Sequence, residues 1–485
     1  MRLTRRLFFI GLGLTAMIAV GSYWWQLPGL AGSRGIAPIG AGMEGLRGAG
    51  DVGFFDAPTL LWLSSSDAML HLLCAIAFFS AALLVAGLAP RIASVTLWAS
   101  WLSLVQAGYP FLAFQWDVLL VESAFCAAFF APPGLRPRLA TEPEPHAAFR
   151  WVLLVLACKV TLESGIVKLA SGDPSWRDLT ALTYHWWSQP LPTWTSVLIA
   201  GLPMWLQQLM CFLMFVLELA IPLMALGPRL MRLTAAAGLT ALQAALFAAG
   251  NYSFYNVLTF VLAVPLLDDF ALRRLWKRAP WSDAALSGAT SSTGLPPAPP
   301  KPSRWPWAVL ATYAAISLGM FFGRQLDSRL LRAVRPFDTV NAYGAFAVMT
   351  KSRAEIVVEG SVDAVTWVPY GFPWKPGDLT RRPGFIAPWQ PRLDWQMWFA
   401  ALGSCASNPW VVSLQQRLLT GTPQVLALFE TNPFPTAPPR YLRTRVFQYR
   451  FAPWSEQGVW WTRTETGPYC PPVMLGPDGS VVRAF

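Results

Sequence analysis

The sequence predicts a polytopic α-helical membrane bundle of about nine spans, followed by a small extracytoplasmic α+β or β-rich domain. Three observations support this fold class. The 485 residues are 54% hydrophobic and only 13% charged, more apolar than one soluble core of this length can hide. Apolar segments recur through the first 323 residues. The residues that follow are more polar and show strand-like alternation.

A helix that crosses a bilayer needs about 20 mostly apolar residues. The first candidate follows the basic segment Met1–Arg6, and no small-residue cleavage site stands out after it. We therefore interpret it as a signal anchor and not as a signal peptide. The nine candidate spans are 7–25, 68–89, 92–110, 114–131, 149–170, 205–227, 231–249, 252–267 and 305–323.

The distribution of Lys and Arg predicts the orientation, because cytoplasmic loops carry an excess of basic residues. Nine spans with a cytoplasmic N-terminus place most loop cations on the cytoplasmic side. The same count places everything after residue 323 outside the cytoplasm. The cations on the predicted cytoplasmic side are Arg91, Arg136, Arg138, Arg229, Arg232, Arg273, Arg274, Lys277 and Arg278.

Composition divides the chain into four parts. They are a transmembrane domain at 1–278, a flexible cytoplasmic linker rich in Ser and Pro at 279–304, a last span at 305–323 and a C-terminal domain at 324–485. Within the last part we expect a hairpin near 350–368, a strand at 440–451 and helices at 394–402 and 410–419. Cys405 and Cys470 both lie there, and their spacing leaves open whether they form a disulfide bond.

Composition and motifs argue against several classes of function. The net charge of +11 is spread over loops, which is unlike the basic face of a nucleic-acid binder. His71, His146 and His185 lack the spacing of a metal site, and no phosphate-binding or dinucleotide motif is present. We expect membrane lipids as partners, no nucleic acid, no metal, and an unknown cofactor.

Ionisable residues inside predicted spans are the candidates for chemistry, since their insertion in a bilayer is costly. Lys159 and Glu163 are four residues apart on one helix and can pair. Burial can turn Lys168 into a base, because desolvation disfavours the charged amine. The alternatives are a structural ion-pair network, a catalytic or ligand-binding role for Lys168, and a lysine that extends to the membrane surface.

Several long segments resemble the lipase maturation factor family over nearly the whole chain. The resemblance implies an endoplasmic-reticulum membrane protein in animals and an inner-membrane protein in bacteria, the source that the composition favours. The matching segments are QLPGLAGSRGI (Gln26–Ile36), FQWDVLLVES (Phe114–Ser123), SGIVKLASGDPSWRDLTALTYHWWSQPLP (Ser164–Pro192), NYSFYNVLTFVLAVPLLDD (Asn251–Asp269) and KPGDLTRRPGFIAPWQPRLDWQMWFAAL (Lys375–Leu402).

The family resemblance further implies a chaperone-like role. Its animal members are needed for secreted lipases to fold into active dimers, so the expected partner is a secreted lipase or another exported client protein. Aromatic and Arg residues are favoured at tight interfaces. The client-binding candidates are Arg392, Trp395, Trp398, Phe434, Arg443 and Arg445, and the alternative for each is a place in the core of the C-terminal domain.

A more distant resemblance covers only the membrane part. Gly165–Leu169, with Trp176 and His185 downstream, is similar to vitamin K-dependent gamma-carboxylase and its horizontally transferred transmembrane (HTTM) relatives. That resemblance implies a lysine base at Lys168, although the Asp-Pro-Ser loop departs from the pattern. The alternative function is therefore a membrane enzyme acting on a lipophilic substrate or client. Its expected catalytic residues are Lys168, His185, Glu163 and Asp117, with Asn251 also lining the pocket.

Overall fold

The membrane part of the chain is helical. The computed structural model describes residues 1–275, 303–322, 329–453, 456 and 458–485, and the predicted linker at 279–304 lies outside these residues except for its last two positions. A π-helical turn, Val216–Ala220, connects two of the helices. In chain order the helices are α1 (Arg2–Leu30), α2 (Ile39–Ala49), α3 (Asp67–Ala86), α4 (Pro90–Ala107), α5 (Gln115–Phe130), α6 (Ala147–Ala170), α7 (Pro174–Arg177), α8 (Ala181–Ser188), α9 (Trp194–Ala200), α10 (Met204–Phe215), α11 (Ile221–Met224), α12 (Arg229–Ala249), α13 (Tyr255–Ala263), α14 (Asp269–Leu275) and α15 (Trp305–Phe322).

Each predicted span contains a helix, and five helical segments in the described residues are long and apolar enough to cross a bilayer. They are α1, α3, Met204–Met224, α12 and α15. The helices in the other four predicted spans are shorter or more polar than these five. For example, α5 has 16 residues and is therefore about 24 Å long. The count of nine spans stays a prediction, since length and composition identify five.

The N-terminal helix α1 packs along one face against the other helices of the bundle. Phe8, Leu12, Ala16 and Val20 are fully buried along its length. At Gly11 an added Cβ would lie 2.7 Å from a methyl group of Val261 on α13, so the two helices touch closely. A helix in this position is an integral part of the bundle, and its role as a signal anchor stays a prediction.

The C-terminal part forms a five-stranded antiparallel sheet with short helices beside it. The strand order is β2-β1-β3-β4-β5. Pairing between β1 and β3 sets Glu359 opposite Arg443, and irregular pairing bends β3 against β4. The predicted hairpin, strand and helices are all present, although β2 is only two residues long. The elements are α16 (Arg329–Val334), β1 (Ala354–Ser361), β2 (Val368–Pro369), α17 (Arg392–Ala401), α18 (Pro409–Leu419), α19 (Pro423–Leu426), β3 (Tyr441–Phe451), β4 (Trp461–Leu475) and β5 (Val481–Arg483).

A disulfide bond joins Cys405 to Cys470 and answers the question that their spacing left open. It connects the segment after α17 to β4 across 65 residues of chain. Closing a loop of this length in the unfolded chain stabilises the fold by about 4 kcal/mol in the chain-entropy treatment. The other four cysteines are buried as free thiols.

The sheet domain packs directly against one end of the membrane helices, and the two share one apolar core. The rings of Trp116 on α5 and Trp395 on α17 lie 4.8 Å apart between centroids. At Gly29 on α1, an added Cβ would lie 2.3 Å from the carbonyl oxygen of Gln424, so only glycine permits this contact. Several candidate residues, among them Asp117, Arg392 and Trp395, lie at this junction.

Candidate functional site

Lys168 lies near the C-terminal end of α6 and forms a buried ion pair. Its amine donates to both carboxylate oxygens of Glu218 at 2.7 Å, and it lies 5.5 Å from the centre of the Trp176 ring. Glu218 belongs to the π-helical turn, a distortion that is often found at functional sites. Gly165 permits the close approach, because an added Cβ would lie 2.7 Å from Leu219. Lys168 thus has a carboxylate partner, which lies at a local distortion between α10 and α11.

His185 on α8 lies close to this pair and is neutral. Tyr252 donates its single hydroxyl hydrogen to Gln189 Oε1 at 2.7 Å, so the 2.7 Å contact between His185 Nε2 and the same hydroxyl makes the imidazole the donor. Burial, together with the positive charge of Lys168, lowers the pKa of His185 to about 3. A neutral imidazole with Nε2 protonated fits both observations.

Asp117 on α5 is the membrane end of a buried link to the sheet domain. Arg392 on α17 contacts both of its carboxylate oxygens at 2.8 Å and also donates to the Phe111 carbonyl at 2.7 Å. Both charged side chains are fully buried. Gln26 on α1 supports the arginine by accepting from its backbone N–H at 2.9 Å. A bidentate arginine of this kind fixes position as well as charge.

Glu163 on α6 accepts a hydrogen bond of 2.7 Å from the backbone N–H of Tyr343. Lys159, its predicted partner, contacts Glu122 instead at 2.5 Å. Two tyrosine hydroxyls, of Tyr313 and Tyr343, also donate to Glu122 at 2.6 Å each. This cluster connects α5, α6 and α15 to the segment that enters the sheet domain.

Asn251 also binds the C-terminal chain. Its side-chain oxygen accepts from the backbone N–H groups of Ile386 and Ala387 at 2.8 and 3.0 Å, and its amide donates to the Gly384 carbonyl at 2.8 Å. The asparagine is 3% exposed. Asp117, Glu163 and Asn251 therefore each contact a different part of the C-terminal chain and do not line one pocket around Lys168. Catalytic roles for the set stay predictions.

The six client-binding candidates lie in three different environments. Arg392, Trp395 and Trp398 lie inside the junction, where the Trp398 indole donates to the Ser188 carbonyl at 2.9 Å. Client binding through these three would require the junction to open. Phe434 is partly buried against Tyr370, with ring centroids 5.9 Å apart.

The two remaining candidates lie on the sheet surface among other arginines and aromatic rings. Arg443 is 4.3 Å from the Trp367 ring centre and pairs with Glu359 at 2.6 Å, while Arg445 pairs with Glu465. On the same face Arg463 lies 4.5 Å from the Phe447 ring centre. We call this surface the arginine–aromatic face; it consists of Trp367, Arg443, Arg445, Phe447 and Arg463.

The sequence analysis missed a buried charge cluster at the start of β1. Arg353 and Lys375 contact the two carboxylate oxygens of Glu355 at 2.7 and 2.9 Å. Arg353 also donates to backbone carbonyls before α9, including that of Pro190 at 2.7 Å. The available signal was two opposite charges at positions i and i+2, which share one face of a strand. This cluster fastens the sheet to the loop that follows α8.

The described residues contain no group of three or more His, Cys, Asp or Glu side chains placed to hold a metal ion. What the junction provides is a set of buried, directional contacts between membrane helices and sheet domain. The Lys168–Glu218 pair and the neutral His185 beside it are the chemically distinctive groups.

Comparison with known proteins covers almost the whole chain. Residues 3–274 match the family described as the lipase maturation factor transmembrane domain, and residues 339–471 match the one described as the lipase maturation factor C-terminal domain. The chain is 33% identical to lipase maturation factor 2 of Gallus gallus, across 98% of this chain and 82% of that protein. It is 32% identical to lipase maturation factor 2 of Homo sapiens and 31% identical to lipase maturation factor 1 of Mus musculus, with 83% and 87% of those proteins covered. No solved structure matches.

Proposed function

Because the chain belongs to the lipase maturation factor family, we propose that it assists the folding and maturation of secreted lipases or other exported hydrolases. It is an integral membrane protein with apolar helices and an antiparallel sheet domain. The names of its relatives supply the client class. The observation that carries the proposal for this chain is the arginine–aromatic face, which is presented on a sheet fixed to the membrane helices.

The orientation in this proposal places the N-terminus in the cytoplasm and residues 324–485 outside it, after nine spans. Two observations support it. The Cys405–Cys470 bond suits an oxidising compartment. The basic end of the bundle, where Arg2 bonds to Ala140 and Arg229 to Asp268, is opposite the sheet domain. The compartment outside would be the periplasm in a bacterium or the lumen of the endoplasmic reticulum in a eukaryote.

The face can serve a client because its side chains are accessible and already ordered. Arg443 and Arg445 keep 25% and 31% of their side-chain surface exposed while pairing with Glu359 and Glu465. Prior ordering lowers the entropy lost when a partner binds. Arg and Trp are also the residue types that contribute most where a partner covers them.

The test begins with deletion of the gene and measurement of the specific activity of secreted lipases. An unchanged yield of active enzyme across the secreted hydrolases would end the proposal. Complementation with Arg443→Glu should then restore much less active lipase than the wild type. Loss of one such contact weakens binding by about 2 kcal/mol, roughly 30-fold. Arg382→Glu, at an exposed arginine outside the face, is the matched control.

A charge swap separates client contact from internal pairing. In Arg443→Glu with Glu359→Arg, the ion pair within the sheet is rebuilt with its charges reversed. If the arginine acts on a client, the swap stays defective. Full recovery of lipase activity by the swap would show that Arg443 only stabilises the sheet.

The second candidate is an HTTM- or carboxylase-like membrane enzyme with Lys168 as base. The specific observation in its favour is the buried Lys168–Glu218 pair at a π-helical turn. Breaking such a pair by removing one partner destabilises by about 3–5 kcal/mol, whereas replacing both by apolar residues is often neutral. Lys168→Met with Glu218→Met therefore separates the two roles.

If Lys168 is a base, the double variant should keep wild-type thermal stability and lose function at least as completely as Lys168→Met alone. If the pair is structural, the double variant should regain the function that the single variant loses. Stability is measured as the thermal unfolding midpoint in detergent. Function is measured as lipase activity in the complementation strain.

A further inference from the structure

A cavity of about 360 Å³ lies among the ends of α4, α5, α6 and α15, at the end of the bundle opposite the sheet domain. The rings of Trp98, Phe125, Phe129 and Phe149 form much of its wall, and Arg91 is its one cationic lining residue. Its volume falls in the range of small-molecule sites in proteins. A largely apolar pocket with a cation at one end suits an amphipathic ligand.

The cationic end has no balancing acid among the residues that the structure describes. Arg91 donates to the Ala131 carbonyl at 3.3 Å and forms no ion pair there. The neighbouring loop is held against the start of α4 by a 2.7 Å bond from Ala89 N–H to the Leu135 carbonyl, and it carries the exposed Arg136. Glu142, the buried acid nearby, is paired with Arg5 at 2.7 Å.

A second hydrogen-bond donor after Arg91, the indole N–H of Trp98, lies farther along α4. Trp98 is seven residues after Arg91 on α4, which places it about 10 Å along the helix axis. Its indole N–H is buried and has no acceptor among the described residues. Apolar rings surround it, with Phe125 5.7 Å away between centroids. The cavity wall therefore offers a cation at one end and apolar rings along the rest, with the unpaired indole N–H buried beneath them.

We propose that this cavity binds one anionic glycerophospholipid. Its phosphate contacts Arg91, and an acyl chain lies between the aromatic rings. The charged and apolar parts of a phospholipid follow one another as the cation and the apolar rings do along the cavity wall. Arg91, which has no acidic partner among the described residues, favours an anionic over a zwitterionic headgroup. This site is separate from the proposed client surface.

The experiment measures binding of phosphatidylglycerol and phosphatidylcholine to the purified full-length protein in detergent by native mass spectrometry. We expect the wild type to prefer phosphatidylglycerol. Arg91→Gln should weaken that binding by about fivefold and remove the preference, since one surface cation contributes about that factor. Ala128→Trp, which fills the cavity, should prevent binding of both lipids.

Two control variants match these changes. Arg177→Gln removes an exposed arginine on α7, beyond the other end of α6, and Ala315→Trp adds an indole at an exposed position of α15. Both should bind like the wild type. Equal affinity of the wild type for the two lipids, or undiminished binding by Ala128→Trp with an unchanged unfolding midpoint, would overturn the proposal. If one cavity variant fails to fold, the other decides.

Discussion

At the scale of single residues, His185 makes the stability of the protein depend on pH. The folded protein holds the imidazole neutral because burial, assisted by the charge of Lys168, lowers its pKa to about 3. The unfolded chain takes up a proton near pH 6.5. Stability from this residue is therefore complete above pH 6.5 and decreases as the pH falls toward 3, by about 1.4 kcal/mol per pH unit.

The variant His185→Gln tests this prediction, since glutamine can still bond to Tyr252 but does not titrate. Between pH 7.5 and 5.5 the wild type should lose about 1.4 kcal/mol more stability than the variant. Thermal unfolding in detergent, followed by tryptophan fluorescence at both pH values, measures the difference. Parallel loss in the two proteins would mean that His185 does not control the acid sensitivity.

At the scale of elements, the Asp117–Arg392 pair holds α17 of the sheet domain against α5. Arg392→Met should destabilise the protein by about 3–5 kcal/mol, because Asp117 would remain buried without a partner. Asp117→Leu combined with Arg392→Met should recover more than half of that loss. The unfolding midpoint of the three proteins in detergent provides the measurement. A double variant no more stable than the single would show that the backbone contacts of Arg392, and not the charge pair, hold the junction.

The helices and strands also show which structural features a local sequence pattern can predict. Hydropathy placed helices at all nine candidate spans, and alternation placed β3 at 440–451, because both patterns arise within one element. The partners of the charged residues were not predictable in this way. Asp117 and Arg392 are 275 residues apart, and Lys168 and Glu218 are 50 apart. Their pairing depends on tertiary packing, for which a single sequence carries no local signal.

The absence of a local signal for tertiary packing also explains why the partners of the candidate site residues were not predicted. Asp117 and Glu163 were candidates because ionisable residues inside apolar segments need a partner, and Asn251 was expected to line the same pocket. Their partners are the sheet-domain side chain of Arg392 and backbone groups near Tyr343 and Ile386. Backbone donors have no sequence signature. A pocket was therefore the simplest expectation, and a domain junction is what the fold forms.

At the scale of the whole molecule, the proposed orientation makes a direct prediction. Alkaline phosphatase, which is active only outside the cytoplasm, should be active when fused at residue 485 and inactive when fused after residue 138. Green fluorescent protein at the same two positions should give the opposite pattern. The reason is that the basic loops stay in the cytoplasm. Fluorescence from the fusion at residue 485 would overturn both the orientation and the client-binding proposal.

The contact between α1 and the sheet domain has a consequence for biogenesis. Gly29 leaves the ribosome roughly 20–80 s before Gln424, whose carbonyl it touches in the finished protein, at ordinary rates of synthesis. During that interval α3, α5 and α13 can already pack against the first helix, but its C-terminal end lacks the contact with the sheet domain. A chain that stops before Gln424 would leave that end uncovered, so even a late nonsense mutation is expected to expose it to quality-control proteolysis.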